Sequence, residues 1–352
     1  MRNVGVVSFA YSAVAKDPLH SEVEMLSPVI REAVAASGIP RDQIGFTCSG
    51  SFDYLQGGPF AFVSGLDAVG AWPPIRESHV EMDGAWALYE AWVAIQTGEV
   101  DSALVYGFGK ASSAEDVYEV MAIQNDPYYV MPLHPSMIDL AALQASAYLD
   151  ASDSDERALA EVAARSQRDA QSNPQAVRKG DISADDVLAQ PTTHTPLRDA
   201  DIFPITDGVA AMVIAADDLA RSVCKRPAWI RGIEHRVEPH ALGVRDLTQS
   251  ESTRLAGQAA GVHGGPIDVA ELHAQFSHEE LILREALGLN GDTAINPSGG
   301  PLAANGLMSA GLVRIGEVAR RIIAGEANRG IAHASNGPCL QHNMVCVLEG
   351  DD

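Results

Sequence analysis

The chain has 352 residues, with 24 basic against 47 acidic side chains and a net charge of -23. That length makes two domains or one large one and can bury a sizeable core, and a composition of 46% hydrophobic and 20% charged residues is globular rather than disordered. The acidic balance argues against nucleic acid and anionic membrane as partners, because both call for a basic surface, and no apolar run approaches the ~18 residues of a membrane-spanning helix.

The predicted elements run as follows. Val4–Ala10 is apolar and β-branched and reads as a strand; Glu22–Ala36 has helical spacing at Val23, Leu26, Val29, Ile30 and Val34. Ile44–Cys48 is a strand, Gly84–Gln96 a buried helix stopped by Gly98, and Ser102–Tyr106 a strand. Strands alternating with helices imply βαβ units and a mostly parallel sheet, an α/β fold. From about residue 111 to 204 the rhythm breaks into helical segments and Pro-punctuated loops, an insertion that reads equally well as a cap shaping a substrate site or as plain architecture. It resumes with strand Ala228–Ile233, helix Ser250–Ala260, strand Ile267–Leu272, helices Glu279–Leu287 and Ser309–Ala324, strand Gly330–Ala334 and a closing strand Met344–Leu348. Gly98-Glu99 before SALVYG and Gly325-Glu326 before RGIAHA stand at equivalent places, both glycines suited to the left-handed residue after a helix. The matching order of elements points to a duplicated α/β half, with boundaries at 1–225 (insertion 111–204) and 226–352.

The four cysteines, Cys48, Cys224, Cys339 and Cys346, show no CxxC or framework spacing, and the N-terminal stretch is too short and Gly-broken for a signal peptide; a reduced, cytoplasmic protein is expected. There is no phosphate-binding loop, no nicotinamide fingerprint, no HExxH and no Cys/His cluster with ligand spacing, so no metal is expected. Asn296-Pro297-Ser298-Gly299-Gly300 is either a tight turn or a path that lets Gly299 and Gly300 approach a ligand closely. Asp268–Phe276 puts His273 just past a strand end, where open α/β sheets bind ligands and a His serves as acid, base or donor, or is simply structural. His79–Gly84 leads into the buried helix, with Asp83 a natural N-cap and Glu81 with no local sign of more than solvation.

Taken in order, the end of the strand before Glu81–Gly84, Thr206-Asp207-Gly208 before AAMVIA, ELHAQF, NPSGG and the closing Gly337–Leu348 stretch resemble the thiolase superfamily over nearly the full length. The stretches IGFTCSGSFDYL, ESHVEMDGAWALYEAW and HASNGPCLQHN are most similar to its sterol-carrier-type members, often called nonspecific lipid-transfer proteins, and to a subgroup tied to aldol cleavage of sterol side chains in actinobacteria. The resemblance implies two similar five-stranded α/β halves, a dimer, and a coenzyme A thioester as substrate with no further cofactor.

It also implies departures. The nucleophilic Cys of thiolases falls on Glu81, and a carboxylate is a poor acyl carrier where a thiolate is a good one. His273 keeps the position of a thioester-oxygen ligand. Gln275 replaces a second Cys, Asn305 replaces a His, and Ser335-Asn336-Gly337 matches a late Cys-x-Gly, with Cys339 as an alternative counterpart. The expected catalytic set is therefore His273, Glu81, Asn305 and Ser335, with Asp83, Gly299, Gly300 and Gly337 binding substrate: a polar pocket for oxygen binding and proton transfer. The expected function is retro-aldol cleavage of a β-hydroxyacyl-CoA steroid side chain, with His273 or Glu81 as base. The steroid aldolases of the superfamily carry Tyr at the positions of His273 and Asn305, so the other expectation is an accessory subunit beside a second thiolase-like chain, with a small OB-fold, zinc-ribbon protein as a further partner. Acyl transfer and lipid carriage rank below both.

Overall fold

The first five long strands are β1 (Val4–Val14), β2 (Phe46–Gly50), β3 (Glu77–Val80), β4 (Ser102–Lys110) and β5 (Ile205–Ala216); the next five are β6 (Ala228–Val237), β7 (Val269–Glu271), β8 (Ala294–Ile295), β9 (Arg329–Asn336) and β10 (His342–Glu349). This computed structural model describes residues 1–17, 19–289 and 291–351. The sheet runs β8-β7-β9-β10-β6-β1-β5-β4-β2-β3. Counted from its own first strand, each set of five has the same order, 3-2-4-5-1, which is the duplicated pattern anticipated from the Gly98 and Gly325 correspondence. The sets join through β1 and β6 over a short antiparallel contact, Gly5 opposite Trp229 and Val6 opposite Ala228.

Helices α1 (Glu22–Ser37), α2 (Gly84–Gln96), α3 (Met137–Ala151), α4 (Glu156–Asp169), α5 (Glu251–Ala260), α6 (Ser277–Leu287) and α7 (Ala310–Ile323) complete the layers. Helix α2 is apolar around most of its circumference because it is central: with α7 it packs against the inner faces of both sets of strands through Ala85, Leu88, Ala91, Leu312 and Ile315. Helix α1 covers the outer face of the first set, and α5 and α6 the outer face of the second. Gly98 and Gly325 follow α2 and α7 with φ of 77° and 78°, the left-handed conformation that glycine adopts without a Cβ clash.

The sheet is mixed rather than mostly parallel, because β9–β10, β10–β6, β6–β1, β1–β5 and β5–β4 pair antiparallel, and the edges of several elements also differ from the sequence reading. The strand expected over 267–272 is only Val269–Glu271, because the Leu272 N–H donates to the Asn296 side chain (2.6 Å) instead of extending the ladder. This releases His273 from the strand. Helix α6 starts two residues early, at Ser277, where Glu279 reaches back to the N–H groups of Gln275 and Phe276. Between residues 111 and 204 the chain folds as α3, α4, short helical turns and a small hairpin, Thr192–His194 with Leu197–Arg198. Its apolar face, including Val117, Met121, Ile138 and Ala142, packs on Phe52, Leu55, Phe276, Leu307 and Met308. That places the segment over the carboxyl ends of the strands.

Candidate active site

One pocket lies where this segment meets the strand ends. Asp83, Met121, Asn125, His273, Asn305 and Ser335 are among its walls, with Gln275, Met308 and Gly337. Its inner space is about 30 Å³, room for two or three waters by the usual requirement of roughly 10–15 Å³ each, so it suits a small oxygen-bearing group and not a bulky one.

Asn305 reaches the pocket because four glycines let two backbones touch. Residues 305–306 pair in parallel with Ile205 and Thr206, and the Asn305 N–H donates to Thr206 Oγ1 (3.1 Å). A Cβ on Gly208 would lie 2.5 Å from Gly306 Cα, and one on Gly107 or Gly109 would run into the carbonyl of Met308 or Leu307. Any side chain at those positions would lift the loop off the strands.

His273 is buried just beyond β7. The Ser335 N–H donates to its Nδ1 (3.2 Å), while its Nε2 faces Asn305 Oδ1 at a long 3.4 Å. Nδ1 is therefore an acceptor and Nε2 carries the proton. Burial, helped by His333 and Arg314, pulls its pKa down to about 3, so the ring is neutral at ordinary pH. It is a donor into the pocket, and the base role expected as one option does not suit this hydrogen bonding. Ser335 holds the ring through this N–H and the His273 backbone through its Oγ, which donates to the His273 carbonyl (3.4 Å).

The Nδ2 groups of Asn305 and Asn125, both buried, have no hydrogen-bond partner among the described residues. Buried orphan donors are costly, about 1–3 kcal/mol each, and a pair of them on one pocket beside an imidazole N–H marks a place prepared for an acceptor oxygen. Asn125 was not foreseen: it lies in the Pro-rich insertion, where no periodicity ties a residue to a face.

The carboxylate of the pocket is Asp83, which corrects the expectation for Glu81. Asp83 is buried and accepts from Ala85 N (2.8 Å), Gly311 N (2.8 Å) and Leu312 N (3.0 Å). It thus caps α2 and also faces the first turn of α7, so two helix N-termini meet on one carboxylate. Burial raises its pKa, and the three backbone donors oppose that rise. Glu81 points away. It is 44% exposed, accepting from Asp53 N (2.7 Å) and hydrogen-bonding His79 Nε2 (3.2 Å).

Gly299 and Gly300 likewise fall outside the pocket walls. Their left-handed backbone (φ 92° and 64°) turns the chain between Ala170, Ala303 and Asn296, and a Cβ on either would clash there; they build the turn rather than touch a ligand. Gly337 (φ 77°) does line the pocket. Behind these groups a buried ion pair fixes the strand end: Arg314 on α7 meets Glu271 on β7 (2.5 Å) and Ser298 Oγ (2.7 Å), and Ser298 donates to Glu271 (2.7 Å). A Glu inside the apolar run Val269–Leu272 was the signal for it.

None of the four cysteines lines this pocket. Cys339 donates to the Leu140 carbonyl (3.4 Å), and burial pushes its thiol up to about 12, as it does that of Cys48; Cys224 and Cys346 are raised too. These are thiols, and a thiolate is what attacks a thioester.

The thiolase N-terminal domain family matches residues 19–218. An acetyl-CoA acetyltransferase of Methanothermobacter thermautotrophicus is 27% identical over 298 residues, 75% of this chain and 78% of that protein. Human sterol carrier protein 2 is 23% identical over 89% of this chain, which spans 64% of its length. Among solved structures, an "Ltp2-ChsH2(DUF35) aldolase" superposes with a TM-score of 0.81 at 19% identity over 99% of this chain and 98% of that one. Human mitochondrial 3-ketoacyl-CoA thiolase in complex with CoA superposes at 0.80 and 14%, over 100% and 98%. Among the described residues no helix is long and apolar enough to cross a membrane. With its doubled five-stranded halves, its central helix pair and this match over more than half its length, the chain belongs to the thiolase family.

Proposed function

We propose that the chain cleaves a carbon–carbon bond by a retro-aldol reaction on a β-hydroxyacyl-CoA, with a sterol side chain as the acyl group. The observation that carries this reading is the make-up of the pocket: a buried carboxylate and three N–H donors, with no cysteine. In the proposed step Asp83 takes the proton of the β-hydroxyl. The β-carbon becomes a carbonyl, the bond from Cα to Cβ breaks, and its electron pair passes to the thioester as an enolate. His273 Nε2–H and Asn305 Nδ2–H receive the enolate oxygen, Asn125 steadies the departing carbonyl, and the protonated Asp83 returns its proton to Cα of the enolate, leaving a shortened acyl-CoA, a ketone and the carboxylate restored. Each such donor contributes about 3–4 kcal/mol to a transition state of this kind. The narrow pocket suits the reacting end of the substrate, with the steroid nucleus outside it.

A second reading makes the chain one member of an assembly. It is supported by the absence of Tyr at positions 273 and 305 and by the two-component name of the aldolase it resembles in fold. In that reading a second thiolase-like chain adds beside the open edge at β3, where Phe60 and Val63 are exposed, and a zinc-ribbon OB-fold protein docks elsewhere. The purified chain, alone and mixed with such partners, is given a steroid β-hydroxyacyl-CoA bearing a tertiary hydroxyl, and products are followed by mass spectrometry. Ketone and short acyl-CoA from the chain alone support the first reading; release only after a thiolase-like partner is added moves the chemistry to that partner.

A further inference from the structure

Glu81, which lies outside the pocket, belongs to a cluster of its own. Glu81 sits at the end of β3, His79 on the same face of that strand, and Asp53 on the loop after β2. One ligand atom from each lies within 4.8 Å of the other two. We propose that Asp53, His79 and Glu81 bind one divalent transition-metal cation, which ties the 51–63 loop to the edge strand. The proposal does not depend on the retro-aldol reading.

The geometry is close to what an ion of this class takes. His79 Nε2 and Glu81 Oε2 are 3.2 Å apart, and two ligands at about 2.0–2.1 Å in a tetrahedral shell are separated by roughly 3.3 Å. Asp53 supplies the third donor, with a carboxylate oxygen within 4.8 Å of both. That carboxylate is already held: Oδ2 accepts from Phe60 N (2.6 Å) and Oδ1 from Phe62 N (3.2 Å), and each oxygen keeps a second lone pair. Glu81 Oε1 accepts from Asp53 N (2.7 Å), so Glu81 would bind through Oε2, the oxygen that hydrogen-bonds His79 Nε2 without the ion.

The surroundings of His79 are those of a ligand imidazole. Ser49 Oγ lies 3.0 Å from Nδ1, so with an ion on Nε2 the proton moves to Nδ1 and is donated to Ser49, the outer hydrogen bond that ligating histidines use. The Phe62 ring stacks on the imidazole at 4.2 Å and 4°, which fixes its plane. Parallel pairing of β2 and β3 puts Ser49 opposite His79, so the sheet register sets this contact. The Glu81 side chain is 44% exposed and that of His79 12%, which gives access from solvent and room for a water as fourth ligand. One nitrogen and two oxygen donors suit Zn²⁺, Mn²⁺ or Fe²⁺; Mg²⁺ and Ca²⁺ favour all-oxygen shells.

The test uses the full chain, stripped with a chelator and titrated with Zn²⁺ against a competing chromophoric chelator. The expected result is one equivalent bound per chain and a rise in melting temperature. His79→Gln and Glu81→Gln each abolish or weaken that binding by at least tenfold, and Ser49→Ala weakens it roughly 10–100-fold. Melting of the variants in chelator reports folding, and the exposed Glu81→Gln reads the site even if His79→Gln fails to fold. The chain has 11 histidines, so binding of Zn²⁺ that is equally tight in Glu81→Gln and in the double variant overturns the proposal, as does the absence of a stoichiometric site in the wild type.

Discussion

Asp83 and Glu81 are two residues apart, yet they belong to different worlds. Glu81 closes β3 on the solvent side among His79 and Asp53, while Asp83 starts α2 beneath both central helices and faces His273, Asn305 and Ser335 across the pocket. The same contrast holds between the two halves. They share one strand order, but the carboxyl ends of the second half supply a buried, neutral His and the orphan amide of Asn305, whereas those of the first supply the pocket carboxylate on one side and an open, charged triad on the other. A duplicated scaffold thus fixes where strand ends lie, and the few residues past each end decide whether that place is a buried oxygen site or a solvent-exposed cluster.

The sharpest way to break this contrast is Asp83→Asn, which keeps the acceptor for the Ala85 and Leu312 N–H groups, gives up the one for Gly311 and removes the base. We expect turnover on a β-hydroxyacyl-CoA to fall by about 10²–10⁴, measured as initial rate, with Glu81→Gln leaving the rate unchanged. Next comes the support behind His273. Arg314→Ala strands Glu271 as a buried unpaired charge, and denaturant unfolding is expected to lose about 3–5 kcal/mol. His273→Ala or Asn305→Ala is expected to lower kcat by roughly 10²–10³ with a smaller change in KM, because the donors serve an oxygen whose charge grows in the transition state.

Smaller, and specific to the second half, is the pH response. His333 is buried neutral, with its pKa lowered by burial from 6.5 to about 4, and His273 and His278 to about 3. The unfolded chain binds protons to these rings below about 6.5 while the folded chain does not, so stability falls as pH is lowered from about 6.5 toward 4, by up to about 1.4 kcal/mol per pH unit for each ring. His333→Gln is expected to flatten the slope by up to that amount, read from unfolding midpoints across pH. A slope indifferent to this substitution would mean that the ring is charged in the folded state.

Much of the scaffold is legible in the residues. Alternating apolar runs and amphipathic stretches give the strands and helices, and the paired Gly-Glu steps give the duplication. His273 is found because it follows a short apolar strand. Which of two acids enters the pocket is not legible, because it depends on how the chain bends through Met82 between β3 and α2, and one residue of rotation exchanges the faces. Asn125 is hidden in a loop without period, and Asp53 meets His79 only because β2 and β3 pair in parallel across 26 residues of chain (79 less 53). Local pattern fixes elements, and tertiary register fixes which side chains share a site.

The most direct test of the central claim is single-turnover cleavage of a steroid β-hydroxyacyl-CoA by the chain with whatever partners it requires, comparing wild type with Asp83→Asn and His273→Ala. Cleavage in this pocket requires ketone and shortened acyl-CoA from the wild type, and loss of both products in each variant with the fold and assembly intact. Undiminished products from both variants would contradict it and place the chemistry outside this pocket.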